Sequence, residues 1–269
     1  MKRNRFAGAM VLGGVMMAAA PAMADTCAQL ESQGLTHAAL TSALQAVVPG
    51  DGSSGPNGGL DFPMWLTLVD DSGKVCQVVN SLGAGQSALR DIWLGSRVIS
   101  AQKANTANAF STGLLALSTA NLHKAVQPGG SLYGLQHSNP VDPTVAYDGD
   151  SGKFGTTKDP LEKERVGGIN VFGGGLALYN SSKVKVGGIG VSGDTSCTDH
   201  VVAWKVRNSV AGGAFGVANV PAGVSTGGLN DALIQGDTAG LVPGGFNHPS
   251  CLFNPDDTQD GGSIDGNTD

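Results

Sequence analysis

Only four residues, Asp70-Asp71-Ser72-Gly73, separate two strand-like runs at 63–69 and 74–79. Parallel neighbours need a crossover of about a dozen residues or more, so a turn this short makes an antiparallel hairpin. Helical patterns lie on either side of it. Leu35, Ala39, Leu40, Ala43, Leu44 and Val47 recur at three-to-four spacing until Pro49, where a Gly/Ser/Pro/Asn loop over 50–59 begins. Between 86 and 117, Ala88, Ile92, Gly95, Ile99, Gln102, Thr106 and Ala109 share one face, with Gly95 permitting close backbone approach and Gly113 marking a break. Further strands are expected at 166–172, 176–179 and 184–191, and Thr198 is a candidate cap for a helix bearing Val201, Val202, Val206 and Val210. Helix, hairpin, long helix, two or three strands and helix, in that order, describe an α+β domain: an antiparallel sheet flanked by helices.

The ends carry a different signal. Lys2, Arg3 and Arg5 precede a short apolar stretch over 6–20, and Ala22-Met23-Ala24 is a small-residue cleavage pattern. This predicts an export leader over 1–24 and a periplasmic or secreted mature chain, with no later segment long and apolar enough to span a bilayer. Loss of the three basic residues takes Lys+Arg from 16 to 13 against 22 Asp+Glu. So acidic a chain argues against nucleic acid or an anionic membrane as the main partner. Cys27, Cys76, Cys197 and Cys251 all follow the leader, and an even count in an oxidising compartment reads as two disulfides. Cys27–Cys76 and Cys197–Cys251 are favoured because each ties an extension to the nearest core element. There is no CxxC or CxxCH, which leaves no support for covalent c-type haem or a thioredoxin-like site.

The domain is expected over 25–211, interrupted at about 123–165 by a Pro-, Gly- and Asp-rich insertion without a steady period. A Gly-, Pro- and Asp-rich extension follows over 212–269. Phe246, His248, Cys251, Leu252 and Phe253 are its docking candidates, and its acidic end is read as disordered.

Three stretches together resemble the GlcG/HbpS family, also found as the C-terminal domain of some corrinoid adenosyltransferases. They are Leu66-Thr67-Leu68-Val69-Asp70-Asp71-Ser72-Gly73-Lys74, Ala101-Gln102-Lys103-Ala104-Asn105-Thr106-Ala107, and Val186-Gly187-Gly188-Ile189-Gly190-Val191-Ser192-Gly193 followed by Asp199. The similarity runs from about residue 35 to 211. Where the family commonly has G-G-x-P this chain has Gly167-Gly168-Ile169-Asn170, and its insertion and extension exceed the compact family core. The resemblance implies a profilin-like sheet-and-helix fold, a homo-oligomer and, for some members, haem binding linked to sensing, storage or degradation.

Haem iron takes His, Met, Cys or Tyr ligands. With the cysteines paired, His37, His123, His137, His200 and His248 are open, and His37, His123 and His200 are the metal-ligand candidates. His200 adjoins the glycine motif and Asp199, a carboxylate able to orient an imidazole. Lys103 and Thr106 lie one turn apart and suit a ligand pocket or an interface as well as they suit packing. Amides near Gly190 and Gly193 suit a propionate. Three other patterns are set aside. Gly188-x-Gly190-x-x-Gly193 follows a hairpin and lacks the acidic partner of a dinucleotide site, so its glycines are read as close helix–sheet packing. Gly193-Asp194-Thr195-Ser196 shows no hydrolase geometry in sequence and reads as a capping loop. Asp70-Asp71-Ser72-Gly73 lacks EF-hand spacing. The leading expectation is an exported haem-binding protein without assured turnover. The alternatives are a haem- or small-molecule-degrading enzyme using Asp199, His200 and Lys103, and an oligomeric accessory subunit.

Overall fold

The side chain of Asp70 builds the hairpin turn: Oδ1 accepts from the backbone amides of Ser72 and Lys74, and Gly73 takes the left-handed φ of +79° that closes it. The computed structural model describes residues 26–48, 57–83, 88–224, 230–236 and 245–251; the export leader, Leu252, Phe253 and the acidic end lie outside them. In chain order the elements are α1 (Thr26–Ser32), α2 (His37–Val47), β1 (Trp65–Asp70), β2 (Val75–Asn80), α3 (Ala88–Asp91), α4 (Gly95–Phe110), α5 (Leu135–Ser138), α6 (Pro143–Ala146), β3 (Gly175–Tyr179), β4 (Lys185–Ser192) and α7 (Ser196–Ser209). The sheet order is β2-β1-β4-β3, antiparallel throughout, so two hairpins are joined where β1 pairs with β4, Trp65 opposite Ser192 and Asp70 opposite Gly187. This is the α+β arrangement expected.

Strand alternation splits the core into two layers. Leu66, Leu68, Leu176, Leu178, Ile189 and Val191 face α2 and α7, together with Leu40, Leu44, Val202 and Val206. Trp65, Val69, Val75 and Val78 face α4, against Val98, Ala101 and Ala104. On the α4 side β4 presents glycine. A Cβ on Gly190 would lie 2.0 Å from the Ser100 carbonyl oxygen, and one on Gly188 2.7 Å from that of Ala104. The glycine motif is therefore a contact surface for a helix backbone, as its spacing suggested.

That contact moves the buried stripe of α4. Val98, Ala101, Ala104 and Ala107 are buried, whereas Ile99 and Gln102 of the expected face are half-buried and Ala109 is exposed. Gly190 lies against Ser100, Lys103 and Ala104, so it is this side of the helix that is sealed by the strand. Residues 166–172 form no strand, because Gly167 and Gly168 take φ of +65° and +77° and break the extended chain. The cap of α7 is Thr195, whose Oγ1 accepts from the Thr198 amide, rather than Thr198 itself.

Both disulfides expected from the cysteine positions are present, Cys27–Cys76 and Cys197–Cys251. The insertion contains α5, α6 and two 3₁₀ turns, and it buries Ala146, Phe154 and Leu161 in the α4-side core. Arg97 of α4 forms a buried ion pair with Asp159 of the insertion, and Arg207 of α7 forms another with Asp231 of the extension. Phe246 packs beside Leu117, Leu122 and Val171.

Gly190→Ala is expected to destabilise the fold by about 1–3 kcal/mol or more, since the new methyl meets backbone that cannot rotate away. Gly113→Ala is the control, because nothing lies within 4 Å of its added Cβ. Urea midpoints report the difference; equal midpoints for the two variants would disprove the close contact.

Candidate functional site

Lys103 projects from α4 and Asp199 from the first turn of α7, and they meet at the end of β4. The Nζ–Oδ2 distance is 2.6 Å, and Lys103 also donates to the Val191 carbonyl oxygen at 3.0 Å. The other carboxylate oxygen of Asp199 accepts from the amides of Gly193 and Asp194. Burial pushes Asp199 up to about 6 against the pull of the ammonium, and pushes the Lys103 amine down. Gly190 lies beneath this pair, with its added Cβ 3.0 Å from Cβ of Lys103. Thr106 has a different use: its hydroxyl donates to the Gln102 carbonyl and accepts from the Asn170 amide, fixing the loop before β3.

Lys103, Asp199, Gly190 and Gly193 are thus brought together, while the histidines divide. His200 is completely buried and neither ring nitrogen has a hydrogen-bond partner among the described residues. Asp199 serves Lys103 and does not orient this imidazole. Burial holds His200 neutral, its pKa down to about 3, and its ring lies 6.1 Å from that of Trp204. His37 Nε2 lies 3.0 Å from the carbonyl oxygen of Gly155, on the insertion.

His123 faces an open cavity of about 390 Å³ lined also by Lys124, Gln127, Asn247, His248 and Pro249. The His123 and His248 rings are 5.6 Å apart, and burial lowers the pKa of both. His248 Nε2 is 2.8 Å from Ser196 Oγ, a contact that sequence reading missed. The signal was present: if Cys197 pairs with Cys251, residues 196 and 248 are brought to the same place.

Residues 62–207, more than half of the chain, match the family model described as haem degrading protein HbpS-like. The chain belongs to the HbpS-like family. Over 144 residues it is 30% identical to an uncharacterized 15.0 kDa protein of the dhaT-dhaS intergenic region of Citrobacter freundii, covering 54% of this chain and 73% of that one. Among solved structures it is similar to a PduOC:heme complex, with 25% identity, TM-score 0.42, and 64% and 90% of the two chains covered. It is also similar to Klebsiella pneumoniae protein ORFY, at 22% identity and TM-score 0.41 over 65% and 88%. HbpS itself matches at 20% identity and TM-score 0.38 over 64% and 87%. In this HbpS-like chain, Lys103, His123, Ser196, Asp199 and His200 lie inside the matched region, and His248 and Cys251 lie beyond it.

Removing one partner of a buried ion pair strands the other charge. Lys103→Met is expected to cost about 3–5 kcal/mol of unfolding free energy. Asp199→Ala is expected to cost at least as much, because it also strands the Gly193 and Asp194 amides, and Asp199→Asn less. Denaturant unfolding of the three variants tests that order, and an Asp199→Ala protein as stable as the parent would contradict it.

Proposed function

We propose that this HbpS-like chain is an exported haem-binding protein whose axial ligand is His123. The observation that carries the reading is that His123 presents a neutral imidazole to an open cavity. Neutral imidazole is the ligating form. The other two candidates are less suited: His200 is sealed in the core, and His37 already holds the insertion through Gly155. His248 borders the same cavity, but its Nε2 is engaged with Ser196 and its Nδ1 with the Pro249 carbonyl. The cavity is near the lower end of the size range of small-molecule sites, so a macrocycle held there keeps part of its edge at the mouth. A second copy of the chain covering that edge accords with the homo-oligomer the family resemblance implies.

Two disulfides support export, since such bridges persist in oxidising compartments. Haem degradation, named in the family description, is the second reading. It requires loss of the bound chromophore with formation of a product.

Haem titrated into the disulfide-bonded protein is expected to give a saturable, shifted absorption band at about one equivalent per chain. His123→Ala is expected to abolish that band, and His37→Ala and His200→Ala to leave it. A band indifferent to His123→Ala would remove the assignment, and non-saturating absorbance in every variant would remove haem. A bound band that disappears with turnover would establish the enzyme.

A further inference from the structure

A serine and a histidine meet at the start of α7. Ser196 Oγ is 2.8 Å from His248 Nε2, and His248 Nδ1 is 2.8 Å from the carbonyl oxygen of Pro249. A carbonyl only accepts, so Nδ1 carries the ring proton and Nε2 presents its lone pair. The Ser196 hydroxyl is then the donor to Nε2. The Gly173 amide donates to the same Oγ at 2.6 Å, which occupies one lone pair and directs the hydroxyl proton to the imidazole.

We propose that Ser196 and His248 form a nucleophile–base pair that accepts the acyl group of small, activated carboxylic esters. The Pro249 carbonyl takes the orienting place that a carboxylate holds in a triad. Ser196 is half-buried at the first position of α7, where first-turn amides and the helix dipole favour the negative charge of a tetrahedral intermediate. The 390 Å³ cavity beside His248 has room for a short acyl ester. Burial keeps His248 unprotonated, as a base requires. The Cys197–Cys251 disulfide clamps the extension to the residue after the serine and so holds the two groups in register. Ser196 lies inside the matched family region and His248 beyond it, so the base of the pair comes from this chain's own extension.

In the reaction Ser196 Oγ bonds to the acyl carbon as its proton passes to His248 Nε2. The carbon–alkoxide bond breaks and the leaving alkoxide takes that proton. Water then attacks the acyl-serine, gives one proton to Nε2, and the departing Oγ recovers it.

The test uses p-nitrophenyl acetate with the haem-free, disulfide-bonded chain, read by p-nitrophenolate release and by mass spectrometry of the Ser196 peptide. A burst of release with an acetyl group on Ser196 is expected. Ser196→Ala should abolish both, and His248→Gln should slow acylation by about 100-fold or more. Ser196→Ala removes one oxygen and leaves His248 and the disulfide in place, so it decides the matter even if His248→Gln unfolds. Release and labelling equal in parent and Ser196→Ala, carried by surface lysines, would overturn the proposal. Neither result depends on haem binding.

Discussion

The ion pair between Lys103 and Asp199 sets the conditions for the rest of the structure. It joins a helix on one face of the sheet to a helix on the other at the end of β4, and it does so entirely out of water. Such a pair is not stabilising by default, because both ions lose their hydration. Here that loss is offset by further hydrogen bonds: the ammonium also reaches the Val191 carbonyl, and the carboxylate also receives the amides of Gly193 and Asp194. One carboxylate therefore terminates β4, starts α7 and neutralises α4. This demands that α4 sit almost on the strand, and Gly188 and Gly190 make that distance possible. Glycine in the strand and lysine in the helix are two halves of one requirement.

The same device recurs at the ends of the two core helices. Arg97 lies over the Phe154 ring and pairs with Asp159; Arg207 lies over the Trp204 ring and pairs with Asp231. A buried guanidinium without its carboxylate is costly, so neither helix is satisfied by the sheet layer alone. The partners come from the insertion and from the extension. These segments complete the charge balance of the core as well as decorating it, and their glycine-rich composition conceals that role. The disulfides act at other points, tying α1 to β2 and the extension to the start of α7.

This division explains what the sequence revealed. The hairpin at Asp70–Gly73, the strand ending in Ser192 and the helices around Leu40 and Val202 follow from local periodicity and turn chemistry, and were legible. The cysteine pairing was legible because each bridge joins a segment to its nearest element. The stripe of α4 was not, since ordinary amphipathic reasoning puts Ile99 inward, whereas the glycine-faced strand lies against Ser100, Lys103, Ala104 and Asn108. Residues 166–172 have strand-like composition, but two left-handed glycines override it. For the site, proximity in sequence suggested that Asp199 orients His200; proximity in space gives Asp199 to Lys103 and leaves both His200 ring nitrogens without a hydrogen-bond partner among the described residues. The partners of Ser196, Arg97 and Arg207 lie 52, 62 and 24 residues away, beyond the reach of any local pattern.

The cavity takes its histidines from the two segments that lengthen the family core. His123 and Gln127 stand where the insertion begins, and Asn247, His248 and Pro249 belong to the extension. Ligand choice on such a fold rests with the segments added to the scaffold rather than with the sheet. The electrostatics fit this arrangement. Two imidazolium rings 5.6 Å apart and partly desolvated would repel each other, and burial already opposes either charge. Burial therefore favours the neutral form of both rings, with His123 lining the cavity and His248 Nε2 beside the Ser196 hydroxyl. The buried charges of α4 and α7 are spent on ion pairs with each other, the insertion and the extension, whereas the two histidines at the margin of the core stay neutral.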